Sequence, residues 1–342
     1  MSALAPKKKP HVPPTDTNWL AQGVEAPLPV PYEVVDSHIH LWDFSDPPYF
    51  GDSYGADARA AGIAEAVYVE CTMGYRETGP AAERPIGEVE FARAQAEAQP
   101  SGGVRLGSAI VGWVDATLGD GVMPVLEGQI EAGAGRFRGV RIRAAWDDDP
   151  AATYGPGGTP PGFLGQKDCR AAIDALQRLG LSLDVYLFHT QLAEVAELAR
   201  AMPDLPIVVN HCGAPIHVGR YGERRAEVRQ QWAAGISKLA AFDNVFIKIG
   251  GFAITRIGLV AREGGAQAPG SVALAAQFAP WAEHCLEAFG PERCMFGSNF
   301  PVDKAAMSLP NQVNAMKRLA GQLGPEEASA FMGGTARRFY RI

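Results

Sequence analysis

The chain has 342 residues, of which 47% are hydrophobic and 20% charged, and this composition is typical of a globular protein with a sizeable core. A net charge of -7 offers no attraction to nucleic acid or anionic lipid, and no segment approaches the ~20 apolar residues of a membrane span. The five cysteines are scattered without a Cys-x-x-Cys pair, which suggests no disulfide framework and fits a reducing cytoplasm. We therefore expect a cytoplasmic protein that acts on a small molecule.

Residues 1–32 are predicted to form an extended N-terminal arm. They include seven prolines between Pro6 and Pro31, and a segment this rich in proline and polar residues cannot bury much apolar surface. No apolar run follows the basic stretch that begins at Lys7, which argues against a secretory signal. Trp19 and Leu20 are the obvious anchors, on the body of the protein or on a neighbouring subunit of a homo-oligomer.

Residues 33–342 alternate between strand-like and helix-like segments, which predicts one domain. Eight runs rich in aliphatic or β-branched residues are the predicted strands: Tyr32–Asp36, Ala66–Glu70, Leu106–Val114, Phe137–Ile142, Leu181–Leu187, Ile207–Asn210, Val245–Ile249 and Met295–Gly297. The predicted helices are Gly87–Gln99, Met123–Ala132, Asp168–Leu179, Gln191–Ala201, Ala226–Phe242, Val272–Phe289, Asn311–Leu323 and Glu326–Arg338. Eight strands alternating with helices predict an α/β protein with a (β/α)8 TIM barrel.

A doubly wound open sheet is the structural alternative. That fold normally shows Gly-x-Gly-x-x-Gly after its first strand, whereas Ser37–His40 occupies that turn here. The barrel is therefore preferred. Because the chemistry of such barrels gathers where the strands end and the βα loops begin, the residues at those positions are the candidates for a functional site.

Histidines are concentrated at the predicted strand ends. His38 and His40 are two residues apart in an extended strand, so their side chains share one face, about 6 to 7 Å apart at their Cα atoms. Such a pair can bind one divalent metal ion or can simply hydrogen-bond inside a core. His189 and His211 end the fifth and sixth strands, so four of the seven histidines lie at strand ends, and this favours a functional site.

Four of the strand ends carry longer motifs. They are Asp36–His40, Phe188–Gln191, Asn210–Gly213 and Phe296–Asp303. Together they resemble the amidohydrolase superfamily, and more narrowly its amidohydrolase-2 branch with the fuconolactonase-like and 2-pyrone-4,6-dicarboxylate lactonase-like barrels, related further off to decarboxylases. The resemblance runs from Val34 to the C-terminus and is more specific for fold than for substrate.

The resemblance implies a role for each histidine. His38, His40 and His189 match metal ligands, which implies a divalent metal such as zinc or manganese, and His211 matches a residue that binds the metal or polarises the substrate carbonyl and moves protons. Asn299 departs from the pattern, because most of the superfamily has an aspartate there that holds metal and takes a proton from water. An amide has no basic site and is a weaker ligand. Whether a metal binds and which residue is the general base are therefore both open.

The general base must then come from another residue. His211 is the simplest candidate, because an unperturbed imidazole titrates near neutral pH. Asp303, four residues after Asn299, could reach the barrel mouth, although a helix cap or a surface salt bridge with Lys304 or an arginine explains it slightly better. Glu70 ends the apolar second strand, where a carboxylate is costly to bury without a partner.

Arginines on the fourth strand indicate the substrate's chemistry. Arg141 and Arg143 share one strand face, and Arg76 from the loop after the second strand could add a third guanidinium. Such forks favour a carboxylate or another oxyanion, although surface salt bridges are the usual fate of arginine. Trp42 and Trp146 belong to long rim loops that could form a pocket wall, a lid or a subunit contact: Leu41–Tyr54, Ala144–Gln166 with Tyr154 and the flexible stretch Gly155–Gly158, and Gly251–Ser271.

We therefore expect a hydrolase that opens the ring of a small lactone carrying a carboxylate or hydroxyls. Arginines would orient the substrate, histidines would create a positive or metal-loaded floor, and His211 or a nearby carboxylate would activate water. Two alternatives stay open. One is non-oxidative decarboxylation of an aromatic or unsaturated acid, and the other is a catalytically inactive barrel that binds a ligand, for which Asn299 is the main reason.

Overall fold

The structure, a computed structural model, describes residues 15–153, 159–260 and 268–342. Within them, eight parallel strands form one sheet in which each strand pairs with the next along the chain. Helices connect the successive strands, which confirms the predicted (β/α)8 barrel. The strands are β1 Val34–Ile39, β2 Ile63–Val69, β3 Arg105–Gly112, β4 Phe137–Arg143, β5 Ser182–Tyr186, β6 Ile207–Val209, β7 Val245–Ile249 and β8 Cys294–Phe296.

The α-helices of the described ranges follow the same alternation. One lies in the arm, seven connect the strands and three end the chain. They are α1 Thr17–Ala21, α2 Gly51–Ala61, α3 Ile86–Glu97, α4 Met123–Gly133, α5 Lys167–Arg178, α6 Leu192–Ala201, α7 Arg225–Leu239, α8 Ser271–Phe289, α9 Leu309–Ala320, α10 Pro325–Ser329 and α11 Thr335–Tyr340. Over the same ranges, no helix combines the length and the apolar composition that a membrane crossing requires.

Two differences from the sequence predictions concern helices. Leu41–Tyr54 is not a loop throughout, because α2 begins at Gly51; its glycines, Gly51 and Gly55, weaken the helical signal of the sequence. The final predicted helix, Glu326–Arg338, is interrupted by a π-helical turn at Ala330–Gly334. The other predicted strands and helices lie within three residues of the observed bounds.

The barrel closes through the segment that follows β8. The backbone N–H of Asn299 donates to the carbonyl of His38 at 2.8 Å, and the N–H of His40 donates to the carbonyl of Phe300 at 2.8 Å. These bonds join the end of β1 to the loop after β8. They therefore place Asn299 directly beside the histidine pair.

Two apolar layers stabilise the barrel. The larger lies between strands and helices and includes Ile247 from β7 and Trp232 from α7. The smaller takes residues from β1, β2, β3, β6 and β8, together with Phe339 and Tyr340 of α11. Burying one large apolar side chain contributes about 1.5–3 kcal/mol, so these layers dominate the stability of the fold.

The described part of the arm lies along α8 and α9 of the same chain. Glu25 donates its backbone N–H to the side chain of Asn311 at 2.9 Å, and Trp19 and Leu20 form a small buried cluster with Ala268. The first fourteen residues lie outside the described part, as do Tyr154, the predicted flexible stretch Gly155–Gly158 and residues 261–267 of the third rim loop.

Candidate active site

Three histidine rings pack together at the carboxyl end of the barrel. The centroid of the His38 ring lies 4.9 Å from that of His40 and 4.5 Å from that of His211. All three side chains are buried. They come from the end of β1 and the loop after β6, segments that are far apart in the sequence and that the barrel brings together.

His38 lies between two buried cations. Arg141 Nη1 is 3.2 Å from His38 Nε2, and Lys248 Nζ is 3.4 Å from His38 Nδ1. Burial, and then the charge of Lys248, holds the pKa of His38 well below its usual range, so the ring is neutral. A neutral imidazole has one lone pair, for which both cations compete. We call these three residues, Arg141, His38 and Lys248, the cationic row.

A buried carboxylate holds the lysine of the cationic row. Lys248 Nζ lies 2.7 Å from Asp184 Oδ2, which also accepts a hydrogen bond from Asn210 Nδ2 at 2.9 Å. The hydroxyl of Tyr340 donates to Asp184 Oδ1 at 2.8 Å. Burial lowers the pKa of Lys248, and the charge of Asp184 opposes that shift.

Glu70 is held by both arginines of β4. Its Oε1 lies 2.7 Å from Arg141 Nε and 3.3 Å from Arg143 Nε, and its backbone carbonyl accepts from Arg141 Nη2 at 2.5 Å. Three of the five N–H donors of Arg141 are thus engaged by Glu70 and His38, which leaves one N–H on each of Nη1 and Nη2. Arg143 instead keeps its Nη2 buried and without a hydrogen-bond partner among the described residues. Glu70 is therefore tied into an ion-pair network through Oε1, while its Oε2 is buried without a hydrogen-bond partner in the described ranges.

Asn299 and Asp303 form a buried pair after β8. Asn299 Nδ2 donates to Asp303 Oδ1 at 2.9 Å, and the backbone N–H of Ala253 donates to Asp303 Oδ2 at 3.3 Å. Burial raises the pKa of Asp303 to about 7. Lys304 points elsewhere and pairs with Asp57, so the salt bridge considered for Asp303 is not formed. Because the amide nitrogen of Asn299 faces Asp303, its oxygen remains for other partners.

His189 faces a different loop from the other three rings. Its Nδ1 accepts the backbone N–H of Ile216 at 3.3 Å, and its ring packs edge-on to Tyr221 at 5.6 Å. Burial lowers the pKa of His189 to about 4, so the ring is neutral and its proton is on Nε2. That buried nitrogen has no hydrogen-bond partner in the described part of the chain. His189 therefore presents a donor.

Trp42 borders the site, Trp146 lines a separate cavity on the rim, and Arg76 does not reach the site. Trp42 stacks on His40 with ring centroids 6.0 Å apart, and its Nε1 is buried and unpaired within the described ranges. Trp146 lines a cavity of about 360 Å³ together with residues that follow β5 and β6. The guanidinium of Arg76 is exposed and pairs with Glu90 of α3.

Unusual backbone conformations occur beside these side chains. His211 and Asn299 have φ angles of 53° and 60°, a left-handed conformation that costs a non-glycine residue free energy and is often found at functional sites. Gly251, with φ of 72°, lies so close to the His211 ring that a Cβ atom there would collide with Nδ1. The glycine therefore allows His211 to occupy its position.

The described side chains do not complete the metal site that the family resemblance implies. His40 fits, because its Nδ1 is bonded to the carbonyl of Val69 at 2.8 Å and leaves Nε2 available. The lone pair of His38 is taken by the cations, and His189 presents a proton. Among residues 15–153, 159–260 and 268–342, no group of three or more His, Cys, Asp or Glu side chains is arranged to hold a metal ion.

Sequence patterns assigned no role to Lys248, Asp184 and Tyr340. Lys248 and Asp184 each interrupt an apolar strand, and a charge at an inward position of a buried strand needs an opposite charge. One charged residue in each of two apolar strands is the signal that could have predicted the ion pair of Lys248 and Asp184. Tyr340 gives no such signal, because an aromatic residue in a terminal helix is ordinarily an apolar anchor.

Comparisons with known sequences agree with the geometry of the fold. A family model described as Amidohydrolase matches residues 35–342. An uncharacterized protein, y4mH, of Sinorhizobium fredii is 29% identical, with 90% of this chain and 98% of that protein covered. An L-fucono-1,5-lactonase of Burkholderia multivorans is 26% identical, with 90% of this chain and 96% of that protein covered.

Solved structures show the same fold. An amidohydrolase from Burkholderia multivorans with bound zinc superposes with a TM-score of 0.67 at 23% identity, over 91% of this chain and 99% of that one. A 5-carboxyvanillate decarboxylase from Novosphingobium aromaticivorans, in complex with manganese, has a TM-score of 0.56 at 13% identity, over 94% and 99%. At these identities the likeness concerns the fold alone.

Proposed function

The chain belongs to the amidohydrolase family, and from that premise we propose that it is a hydrolase that opens the ring of a small oxygenated lactone. The L-fucono-1,5-lactonase relative, which aligns over 90% of this chain, supports a lactonase-type hydrolase. The observation that carries the proposal is the cationic row. Its two buried cations lie at the carboxyl end of a barrel, where they can stabilise a carbonyl oxygen that becomes negative during hydrolysis.

Unpaired buried donors support an oxygen-rich substrate. Three buried donors have no partner among the described residues: Arg143 Nη2 at the end of β4, Trp42 Nε1 after β1 and His189 Nε2 after β5. A buried donor without a partner costs about 1–3 kcal/mol, so three of them at the ends of strands favour a ligand that supplies acceptors. We assign Arg143 to a carboxylate or ring hydroxyl of the lactone, and the other two donors to its remaining oxygens.

His211 is the proposed general base. Burial, and then the charge of Arg141, holds the pKa of His211 well below its usual range, so the ring is unprotonated at neutral pH and can accept a proton. Water gives this proton to His211 while its oxygen attacks the lactone carbonyl. The proton then moves to the ring oxygen as the C–O bond breaks, and the product is a hydroxy acid. Asn299 is assigned to orient the water through its amide oxygen.

A divalent metal is supported for this fold by the zinc-bound and manganese-bound structures. In this chain His40 would be its first ligand, and the metal would polarise the carbonyl as a Lewis acid. Since both nitrogens of His38 contact the cations and the neutral His189 ring carries its proton on Nε2, we assign that polarisation to Arg141 and Lys248.

Decarboxylation of a small acid is the second candidate. The unpaired Nη2 of Arg143 favours it, because this donor would bind a substrate carboxylate equally well. The fold of the 5-carboxyvanillate decarboxylase is compatible with this reaction as well. A decarboxylase would release carbon dioxide, whereas a lactonase would release a proton as the ring opens.

The domain limits and the compartment are also proposals. We propose that residues 33–342 form the catalytic domain, to which residues 1–32 are appended as an arm, and that the protein acts in the cytoplasm. The five cysteines are buried and form no disulfides, which supports a reducing compartment.

A substrate panel tests the proposed function. Wild-type protein is incubated with five- and six-membered sugar lactones, carboxylated lactones and aromatic acids, while proton release and carbon dioxide are monitored. We expect proton release with lactones, and a loss of at least about 100-fold in kcat/KM for His211→Ala. His284→Ala, which removes a histidine on the outer helix α8, is the matched control. Carbon dioxide release without ring opening would establish the decarboxylase. If no compound gives a product, the hypothesis of an inactive barrel that binds a ligand is favoured.

A further inference from the structure

Helix α11 packs against the end of the barrel opposite the histidines. Helix α11 places Phe339 and Tyr340 in the buried cluster that lines the barrel interior. Arg337 of the same helix pairs with Glu65 of β2 at 3.0 Å, at the end of the barrel opposite the site. Tyr340 is fully buried. Its side chain therefore approaches the cationic row from below.

Asp184 connects this tyrosine to the cationic row. The Tyr340 hydroxyl donates to Asp184 Oδ1 at 2.8 Å, while Lys248 Nζ lies 2.7 Å from Oδ2. Lys248 in turn lies 3.4 Å from His38 Nδ1 and 5.1 Å from the centre of the Tyr340 ring. Tyr340, Asp184, Lys248 and His38 thus form one continuous series of contacts from the C-terminus to the site.

We propose that Tyr340 is a positioning residue, whose hydroxyl fixes Asp184 so that Lys248 is held against His38. This inference rests on the proposed function, because it concerns the cation that polarises the lactone carbonyl. The contact between Lys248 and His38 is already long for a hydrogen bond, so a small rotation of Asp184 would break it. Lys248 then loses its place beside the reacting carbonyl.

Packing alone does not require the hydroxyl. A phenylalanine would fill the same space in the barrel, and among the described residues Asp184 is the hydrogen-bond partner of the Tyr340 hydroxyl. The buried ion pair of Asp184 and Lys248 is itself weak evidence for stability, because two apolar residues would often be as stable. A charged pair with three supporting contacts is better explained by the placement of a cation.

Tyr340→Phe tests the proposal, and Tyr68→Phe is its control. Tyr68 is equally buried and donates to the buried carboxylate of Glu88 at 2.9 Å, on the helix-facing side of β2. With the best lactone of the panel, we expect Tyr340→Phe to lower kcat about 10-fold while KM stays within about twofold. Substitution of a residue that orients a functional side chain typically has an effect of this size. Tyr68→Phe should keep the wild-type kcat. Circular dichroism and Tm check that both variants fold.

The second readout does not depend on turnover. In protein with 15N-labelled histidine, the His38 resonances are assigned by their loss in His38→Gln. Tyr340→Phe should shift them, and Tyr68→Phe should leave them in place. Unchanged His38 resonances, or a kcat loss no larger than that of the control, would overturn the positioning role. If the wild type hydrolyses no lactone, the proposed function fails. The His38 resonances still test whether Tyr340 holds Lys248 against His38.

Discussion

At the carboxyl end of β8, Asn299 takes its orientation from Asp303. The superfamily's usual carboxylate is absent at position 299, but a carboxylate is present four residues later and accepts the amide N–H of Asn299 at 2.9 Å. A carboxyl group is thereby kept near the site but held behind the amide. The residue that can contact substrate does not titrate, and the titratable residue orients it.

Asn299→Asp should therefore destabilise the protein instead of restoring the usual base. At pH 8 the new carboxylate would face Asp303 and lose a charge-assisted hydrogen bond, for an expected cost of about 2–3 kcal/mol in the free energy of unfolding. Urea denaturation measures this cost. The double variant Asn299→Asp, Asp303→Asn exchanges the two groups and should recover most of it. An unchanged stability of the single variant would show that the two side chains do not interact.

The pKa of Asp303 predicts a pH-dependent stability. Its folded value of about 7 lies above the unfolded value of ~3.9, so the folded state retains the proton over the intervening range. The contribution of Asp303 to stability is therefore present below about pH 4 and is lost as the pH rises to about 7, by up to about 4 kcal/mol. The comparison is with Asp303→Asn, which has no such titration. Two parallel stability curves between pH 4 and 7 would contradict the raised pKa.

How well the sequence predicted the positions of the candidate site residues depends on the kind of signal. His38 and His40 follow from strand alternation, and His211 from its place at a strand end. His189 has the same local signal, yet the structure turns it toward Ile216, because the loop after β6 offers it a backbone N–H. Contacts between distant loops of this kind leave no pattern in one sequence.

At the scale of secondary structure, a glycine just after β7 leaves space for a histidine in the loop after β6. Gly251 has φ of 72°, and a side chain there would meet the His211 ring. Gly251→Ala should displace His211 and lower kcat/KM by at least about 100-fold, close to the loss expected for His211→Ala. Lactone hydrolysis under saturating and limiting substrate measures it.

Gly258→Ala is the control for this prediction. Gly258 has φ of 58°, but a Cβ atom there would only make an ordinary contact with His217 at 3.5 Å. Both variants carry the cost of a left-handed alanine, about 1–2 kcal/mol, and only one collides with His211. Equal activity of the two variants would show that the close approach of Gly251 to His211 is not needed for activity.

The sequence predicted most elements well because their patterns are local. The apolar runs identify the eight strands, and the periodicity identifies seven of the connecting and terminal helices within three residues. Helix α2 was missed because Gly51 and Gly55 lower its helix propensity, and packing in the barrel overrides that preference. The interruption at Ala330–Gly334 depends likewise on tertiary contacts.

At the scale of the whole molecule, the cationic row is assembled from elements that span the chain. β1, β4 and β7 supply His38, Arg141 and Lys248, while β5 and α11 hold the lysine from below. The barrel itself was predictable from the alternation of strands and helices. The packing of the last helix against the opposite end of the barrel was not, because nothing local distinguishes a helix that covers the outside of a barrel from one that closes its end.

Hydrolysis by metal-depleted protein tests the central claim most directly. The protein is treated with a chelator, its zinc and manganese contents are measured by elemental analysis, and kcat/KM for the best lactone is compared before and after. If Arg141 and Lys248 polarise the carbonyl, the depleted protein should keep at least about half of its kcat/KM. A loss of more than about 100-fold that zinc or manganese restores would assign the polarisation to a metal and contradict the account.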